Sequence, residues 1–275
     1  MKLFGESKVM SVDELNAYRT AYGNPLMKKE IFTTLVVPFM ISFFSVYVLT
    51  YYWWLSLIAG ILGVSYGFIV IMKINVERIY QQESRIQRNR FINTMTGLLA
   101  NPNETVVTAL SWCAKEIAKG ELKKELDQLL VDLMDATPKQ VQTAFNLLKE
   151  KYHKDFVFGL FMDNLVTVML EGRTDIKKIK ELKTWHNDVL EETNIFIQNK
   201  VLYKRQFKAT TIYPVVVVGI LTFARGIDAY LLYYAHNVIG LVCSAILLGA
   251  LCFYFHSLQK NLADDEVMEV KIWRT

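Results

Sequence analysis

Four histidines, three cysteines and a few acidic clusters are the side chains in this sequence that could perform chemistry. Metal centres and catalytic sets need such groups at close and regular spacing, as in the HExxH and CxxC motifs. Neither motif occurs, nor does a glycine-rich phosphate loop, and the histidines and cysteines are dispersed: His153, His186, His236, His256, Cys113, Cys243 and Cys252. The sequence therefore predicts no catalytic site, no metal, no cofactor and a protein that is not an enzyme.

The charge clusters are explained most simply as solvated helix faces. This interpretation covers Asp127, Asp132 and Asp135 on a leucine-rich segment, and Glu191 and Glu192 beside His186. The lysines between 177 and 183 are interrupted by Glu181, and no aromatic side chains accompany them that would stack on bases. Nucleic acid is therefore not an expected partner.

The distribution of charge points to a membrane. Charged residues make up 21% of the 275 residues, but Ile31–Met72 contains none and Ala209–Gln259 contains only Arg225 and Asp228. Roughly 18 or more uncharged apolar residues already suggest a membrane span. These blocks exclude a simple soluble enzyme, a secreted disulfide scaffold and a disordered chain.

Each apolar block is long enough to cross a membrane twice. A single helix over the first block would measure about 60 Å, twice the thickness of the hydrocarbon layer. We therefore predict spans near 31–50 and 54–73 around an aromatic turn at 50–54, and spans near 209–224 and 237–257 around 225–228. Tyr230, Tyr233 and Tyr234 form the expected interfacial belt.

Lysine and arginine in the flanks set the orientation. They cluster before the first span, after the second and before the third, whereas the two short loops contain only Arg225. The positive-inside rule then places both termini and the middle segment in the cytoplasm of a multi-pass cell (inner) membrane protein.

Small residues in the second span predict close helix packing. Gly60, Gly63 and Gly67 share one face, and small residues let helix backbones approach closely in lipid. Packing within one subunit and dimerisation both remain open. Before the first span, Ser11 and Glu14 form a capping box for a short amphipathic helix that ends at Gly23 and is expected to dock on the cytoplasmic domain.

The middle of the chain predicts six helices, so the expected fold class is an all-α polytopic membrane protein with a cytoplasmic helical bundle. Asn103 is the predicted cap of a helix that ends at Gly120, and Thr137 with Pro138 and Gln140 forms a second capping box. Later helices are expected at about 155–170, ending at Gly172, and from Thr174 onward without a break into the third span. The predicted domains are 1–30, 31–73, 74–208, 209–257 and 258–275, which are an N-terminal segment, a hairpin, the bundle, a second hairpin and a tail.

This layout resembles the platform proteins of the type II secretion F family, and in particular the B-type protein of tight-adherence (Tad) pilus machines. The hydrophobic helix Phe91–Ala100 leads to a break at Asn101-Pro102-Asn103 and then to Ala109-Leu110. A central break falls at Asp135-Ala136-Thr137-Pro138, and Glu171-Gly172 is followed by Asp175-Ile176 and the long helix to Pro214. The family has glycine at the first two breaks, and this sequence does not.

The resemblance, which covers residues 30–260, implies a platform without enzymatic activity. Such a protein holds a cytoplasmic secretion ATPase at the membrane, associates with a second F-type subunit or with itself, and helps extract pilin or pseudopilin subunits from the bilayer. The candidate ATPase-facing residues are Glu171, Gly172, Arg173 and Asp175. The alternative is a membrane-anchored receptor or regulatory scaffold whose bundle binds a signalling partner.

Overall fold

The computed structural model describes residues 11–23, 25–172 and 176–263, and every regular element within them is helical. The helices are α1 (Val12–Thr20), α2 (Lys28–Thr50), α3 (Trp53–Tyr66), α4 (Lys73–Leu99), α5 (Val106–Glu116), α6 (Gly120–Asp132), α7 (Pro138–Lys151), α8 (Phe156–Glu171), α9 (Ile176–Arg225), α10 (Ile227–Tyr230) and α11 (Val238–Ala263). The predicted all-α class is confirmed for these residues. Of the N-terminal 30 residues, the first ten and Asn24 lie outside them, as do Arg173, Thr174, Asp175 and the tail from Asp264.

The first apolar block folds back on itself, as the aromatic run at 50–54 predicts. The chain reverses at Tyr51, which adopts a left-handed conformation with φ of 55°, and α2 and α3 then pack along their length. A π-helical segment, Gly67–Met72, joins α3 to α4 without a break. Residues Trp53–Leu99 therefore form one helix of 47 residues that begins in the apolar block and ends in the polar part of the chain.

The three glycines of the apolar block lie against α2. A Cβ atom at Gly63 would stand 2.7 Å from the carbonyl oxygen of Pro38, and one at Gly67 would stand 2.6 Å from the carbonyl oxygen of Thr34. At Gly60 the nearest atoms belong to the Phe39 ring. The glycine face is thus occupied by the partner helix of the same hairpin.

The second apolar block contains a sharp break. Helix α9 ends at Arg225, Gly226 has φ of 85°, and the helical stretch Ile227–Ala235 leaves at 116° to Val216–Arg225. Among the described residues, three helices are long and apolar enough to cross a membrane: α2, the helix from Trp53 and α11. The number is four if the bent pair counts as one span.

The two apolar blocks contact each other at both ends. Tyr230 is buried against Leu49 and Val218, and the ring of Tyr52 stacks on His236 at 4.6 Å between centroids. Far along the same helices, the hydroxyl of Tyr66 lies 3.0 Å from Nδ1 of His256. These contacts join the first hairpin, α2 and α3, to the second apolar block.

Helices α4 to α9 pack around one apolar core. The core contains fully buried Phe91, Met95, Leu110, Leu126 and Phe161, with further residues from all six helices. Antiparallel pairing is fixed by hydrogen bonds between Asn93 and Asn187, which join α4 to α9. The start of α6 and the end of α7 meet beside Tyr80, and the start of α8 meets Arg88, so α4, α6 and α8 lead away from the apolar helices and α5, α7 and α9 return.

Two predicted boundaries in this region were wrong. Helix α5 is capped by Thr105 rather than Asn103, because the Thr105 side chain accepts the N–H of Thr108. Helix α5 also ends at Glu116 rather than Gly120, which has φ of 62° and begins α6 against the ring of Tyr22. The other signals hold: Thr137 and Gln140 cap α7, Gly172 follows α8, and α9 runs for 50 residues without a break.

Helix α1 docks where the apolar and polar parts meet. Its capping box between Ser11 and Glu14 is present, and Leu15 is buried with Met72 and Val76. Tyr18 lies edge-on to the ring of Tyr80 on α4. The N-terminal helix therefore lies on the junction between the apolar helices and α4.

Candidate functional site

Asp155, in the loop between α7 and α8, bonds to three separate helices. Its Oδ1 accepts the backbone N–H of Phe158 at 3.0 Å and so caps α8. Its Oδ2 accepts Nε of Arg88 on α4 at 2.7 Å and lies 3.4 Å from Nε2 of His186 on α9. A single carboxylate thus joins α4, α8 and α9.

The partners of Asp155 are themselves held in place. Arg88 donates to Oγ of Ser84 at 2.8 Å, and its guanidinium lies 4.9 Å from the centre of the Tyr152 ring. Nδ1 of His186 lies 3.0 Å from Oδ1 of Asn89, so both ring nitrogens have a partner. Ser84 and Asn89, both on α4, therefore orient the side chains of Arg88 and His186 toward Asp155.

Electrostatics favour the ionised form of Asp155. Burial alone would raise its pKa, but the charge of Arg88 and the hydrogen bond from His186 hold the pKa of this carboxyl well below its usual range. The ion pair with Arg88 is mostly shielded from water, with side chains 12% and 13% exposed. Removing one partner of such a pair leaves the other charge buried and uncompensated.

A second polar network joins α4, α6 and α7 nearby. Tyr80 donates to Oε2 of Glu121 at 2.5 Å, and Nζ of Lys151 lies 2.8 Å from Oε1 of the same carboxylate and also contacts Glu125. Burial would raise the pKa of Glu121, but the hydrogen bonds from Lys151 and Tyr80 lower it. Burial and the bond to Glu121 raise the pKa of Tyr80, which therefore remains a donor.

Between the two networks lies a cleft of about 170 Å³. Its walls are α4, α9 and the loop between α7 and α8, and it is lined by both networks together with Arg85 and Lys154. No group of three or more His, Cys, Asp or Glu side chains within the described ranges is placed to hold a metal ion.

The residues singled out in the sequence lie elsewhere, at the opposite end of the same helices. Because α4, α6 and α8 all lead away from the apolar helices, the turns that follow them share one end of the core, here called the distal end. It carries exposed Asn101, Pro102, Thr137, Pro138, Glu171 and Gly172. Arg173 and Asp175 lie outside the described residues.

Sequence reasoning missed the cleft because its members are far apart in the chain. The dispersed histidines were expected to be either hydrogen-bonded or exposed, and His186 is buried and hydrogen-bonded. The signal that was available is local: Asp155 stands three residues before Phe158 at the start of an apolar helix, which is the spacing of an N-cap. Nothing in the spacing identifies Arg88, on another helix, as its partner.

The fold and the site define a class: over the described residues the protein is helical, with three or four long apolar helices, two of which continue into a polar helical core that contains the buried Arg88–Asp155 ion pair. The chain belongs to one family with an uncharacterized protein of Bacillus anthracis, pXO2-23, to which it is 36% identical over 266 residues, covering 97% of this chain and 96% of the relative. No family model matches the chain. No solved structure matches it either.

Proposed function

We propose that this protein is the membrane platform of a fibre-assembly or secretion machine of the Tad or type II secretion kind. It crosses the cell membrane four times as two hairpins, with both termini and the α4–α9 core in the cytoplasm. The core holds a secretion ATPase, and the hairpins help extract pilin or pseudopilin subunits into a growing fibre, alongside a second platform subunit.

The observation that carries this proposal is a pair of unbroken helices. The helix from Trp53 to Leu99 and α9 contain 47 and 50 residues, or about 70 and 75 Å, of which a bilayer occupies about 30 Å. Each therefore joins an apolar segment to the polar core with no loop between them. Such helices suit a protein that passes movement from the cytoplasm to the membrane.

The hydrogen bonds and ion pair between α4 and α9 support the same role. Asp155 and the Asn93–Asn187 pair join α4 to α9, the two helices that lead to the two different apolar blocks. Displacement of the core then acts on both blocks together. The distal end, which carries exposed Glu171, is the surface farthest along these helices from the membrane and is the proposed contact for the ATPase.

The topology can be tested by cysteine labelling in intact cells. In a variant without native cysteines, single cysteines at Trp53 and Asp228 should react with a membrane-impermeant maleimide, whereas one at exposed Met134 should react only after the membrane is opened. Native Cys113 is unsuitable as the inside reporter, because it is buried and burial raises its thiol pKa to about 12. Labelling of Met134→Cys in intact cells would overturn the orientation.

The function can be tested by deletion and by capture. A clean deletion in the organism that encodes this chain should abolish assembled surface fibres in electron micrographs, and the tagged full-length protein should co-purify a hexameric secretion ATPase. Glu171→Arg at the distal end should lower ATPase recovery at least several-fold without changing the unfolding midpoint.

The matched control is Glu116→Arg, a charge reversal at the exposed end of α5 nearest the apolar helices, which should leave ATPase recovery unchanged. Intact fibres in the deletion strain would contradict the platform proposal. Recovery of a signalling protein instead of an ATPase would favour the receptor or scaffold.

A further inference from the structure

One face of α9 is exposed along both the polar part of the helix and the apolar block that follows. Its residues recur at alternating steps of four and three: Ile195, Asn199, Leu202, Gln206 and so on to Phe223. All nine of these residues are exposed, and they are here called the α9 seam. Steps of four and three give the period of 3.5 residues with which two helices pack along each other. In heptad notation the seam occupies positions a and d, with Ile195 at d.

The opposite side of α9 faces its own subunit. Thr193, Lys200 and Val218 do not belong to the seam, and they are 3%, 7% and 8% exposed. This part of α9 packs with that side on α2 and α4. The seam is therefore the side that the other described residues of the chain leave uncovered.

Lipid does not cover the first part of the seam. Ile195 and Leu202 are each 52% exposed. Phe196 and Tyr203, the residues that follow them, are 41% and 61% exposed. Ile195 lies 14 residues, about 21 Å along the helix, before the apolar block that begins at Ala209, and a headgroup layer of about 5–8 Å does not extend so far. A contiguous apolar face outside the membrane indicates a surface for another protein.

The composition of the seam favours a second copy of the same chain. When identical helices pair in parallel, equivalent residues face each other, so charged residues on the seam would repel. The seam contains no charged residue, and Arg205 is the only one at the neighbouring e and g positions. Asn199 and Gln206 carry amides that both donate and accept, so each can bond to its counterpart. A polar amide at position a also fixes the register of two paired helices.

The exposed area of the seam and its flanks suits a stable dimer. Four aromatic side chains on this face are between 41% and 93% exposed: Phe196, Tyr203, Tyr213 and Phe223. At 150–250 Å² for each fully covered ring, these four would bury up to about 500 Å² on each copy, against about 800 Å² for a standard interface. The large aliphatic side chains of the seam, each about half exposed, add to this area.

We propose that the α9 seam is the interface of a homodimer in which two copies of α9 lie parallel. Two chains of one topology in one bilayer run in the same direction, so the membrane itself imposes parallel pairing. The interface extends about 42 Å from Ile195 to Phe223 and joins both the polar cores and the apolar helices of the two subunits. The proposal identifies the second platform subunit of the proposed function as another copy of this chain, and it rests on that function only for the membrane topology.

Disulfide formation in membranes that contain the full-length protein tests the parallel seam. In a variant without the native cysteines, Ile195→Cys and Leu202→Cys should each form, on mild oxidation, a disulfide-linked dimer of twice the 31.8 kDa chain mass. Equivalent d positions face each other in a parallel pair, which is why a disulfide can form. The matched control is Asn194→Cys, which is exposed and adjacent to Ile195 but lies outside the seam, and it should remain largely monomeric.

A charge placed on the seam tests the same interface independently. Asn199→Asp sets two carboxylates opposite each other, and it should lower the disulfide yield of Leu202→Cys at least about fivefold at neutral pH. Asn194→Asp makes the same change at an exposed position outside the seam and should leave the yield unchanged.

Three results would each overturn the proposal. They are no dimer at either seam cysteine, equal yields at positions 195 and 194, or a disulfide to a different protein instead of a second copy. Equal yields in the two aspartate variants would overturn it as well. Seam disulfides together with intact fibres in the deletion strain would support the dimer and contradict only the platform role, so the two proposals fail separately.

Discussion

An Asp155→Ala variant should lose about 3–5 kcal/mol of unfolding free energy, the cost expected when a buried charge pair loses one partner. Arg88, whose side chain is 12% exposed in the intact pair, would lose its counter-charge, and His186 would lose its partner at Nε2. The variant also removes the N-cap of α8, which is worth about 1 kcal/mol by itself. The measurement is a denaturant titration of the full-length protein in detergent, followed by tryptophan fluorescence.

The matched control is Asp163→Ala. Asp163 pairs with Lys149 at 2.6 Å, a shorter distance than that of Arg88 to Asp155, but its side chain and that of Lys149 are 45% and 41% exposed. Water screens such a pair, so its loss should cost less than about 1 kcal/mol. Equal losses of unfolding free energy in the two alanine variants would contradict the view that the bonds of Asp155 to α4, α8 and α9 stabilise the core.

The Asp155 carboxylate should also make the stability of the protein depend on pH. The folded-state pKa of Asp155 lies below the unfolded value of about 3.9, so its stabilising effect is fully present above that value and is lost as pH falls through the folded pKa. Wild type should therefore become less stable as pH falls below about 5. Asp155→Asn, which has no charge to lose, should show a shallower fall, and parallel curves would mean that other groups dominate acid unfolding.

A Gly63→Leu variant should disrupt the first hairpin and cost about 1–3 kcal/mol or more, as overpacking does in a close-packed interface. A Cβ atom at this position would meet two atoms of α2 at 2.7 Å, the carbonyl oxygen of Pro38 and Oγ of Ser42. The carbonyl belongs to the backbone and cannot turn aside, so α2 and α3 must separate. Trp53 and Trp54 at the start of α3 report the change by fluorescence.

Gly249→Leu is the matched control, because it makes the same change in the apolar helix α11, where a Cβ atom would meet nothing within 4 Å. It should leave the unfolding midpoint within experimental error of wild type. A loss as large as that of Gly63→Leu would indicate that any added bulk in the apolar helices is harmful, and the glycine face would then have no special role.

Much of the fold was predictable because its signals are local. The reversal at Tyr51, the capping box of α7 and the end of α8 at Gly172 each depend on a few adjacent residues. The boundaries of α5 were missed because Asn103 and Thr105 are both good caps, and the choice between them depends on how α5 packs on α4. Gly120 resembles a helix stop but begins a helix, because its positive φ fits a turn that faces Tyr22.

The cleft could not be predicted, because its geometry depends on tertiary packing. Arg88, Asp155 and His186 are separated by 67 and 31 residues, and each alone resembles an ordinary surface residue of a polar helix. The residues of the distal end, unlike those of the cleft, were identified in the sequence, because they are exposed helix breaks with local sequence signals. Their common location depends only on the alternating direction of successive helices.

The bonds at Asp155 also determine how the core can move. If α4 slid past α9 by one helical turn, about 5.4 Å, Asp155 could not keep both Arg88 and His186 as partners, and the contact between Asn89 and His186 would break, whereas rotation of the core as a unit would break none of these. Rotation of α4, α8 and α9 as a unit is therefore the motion that keeps these contacts. Rigid-body motions of this kind occur over microseconds to milliseconds and require no helix to unfold.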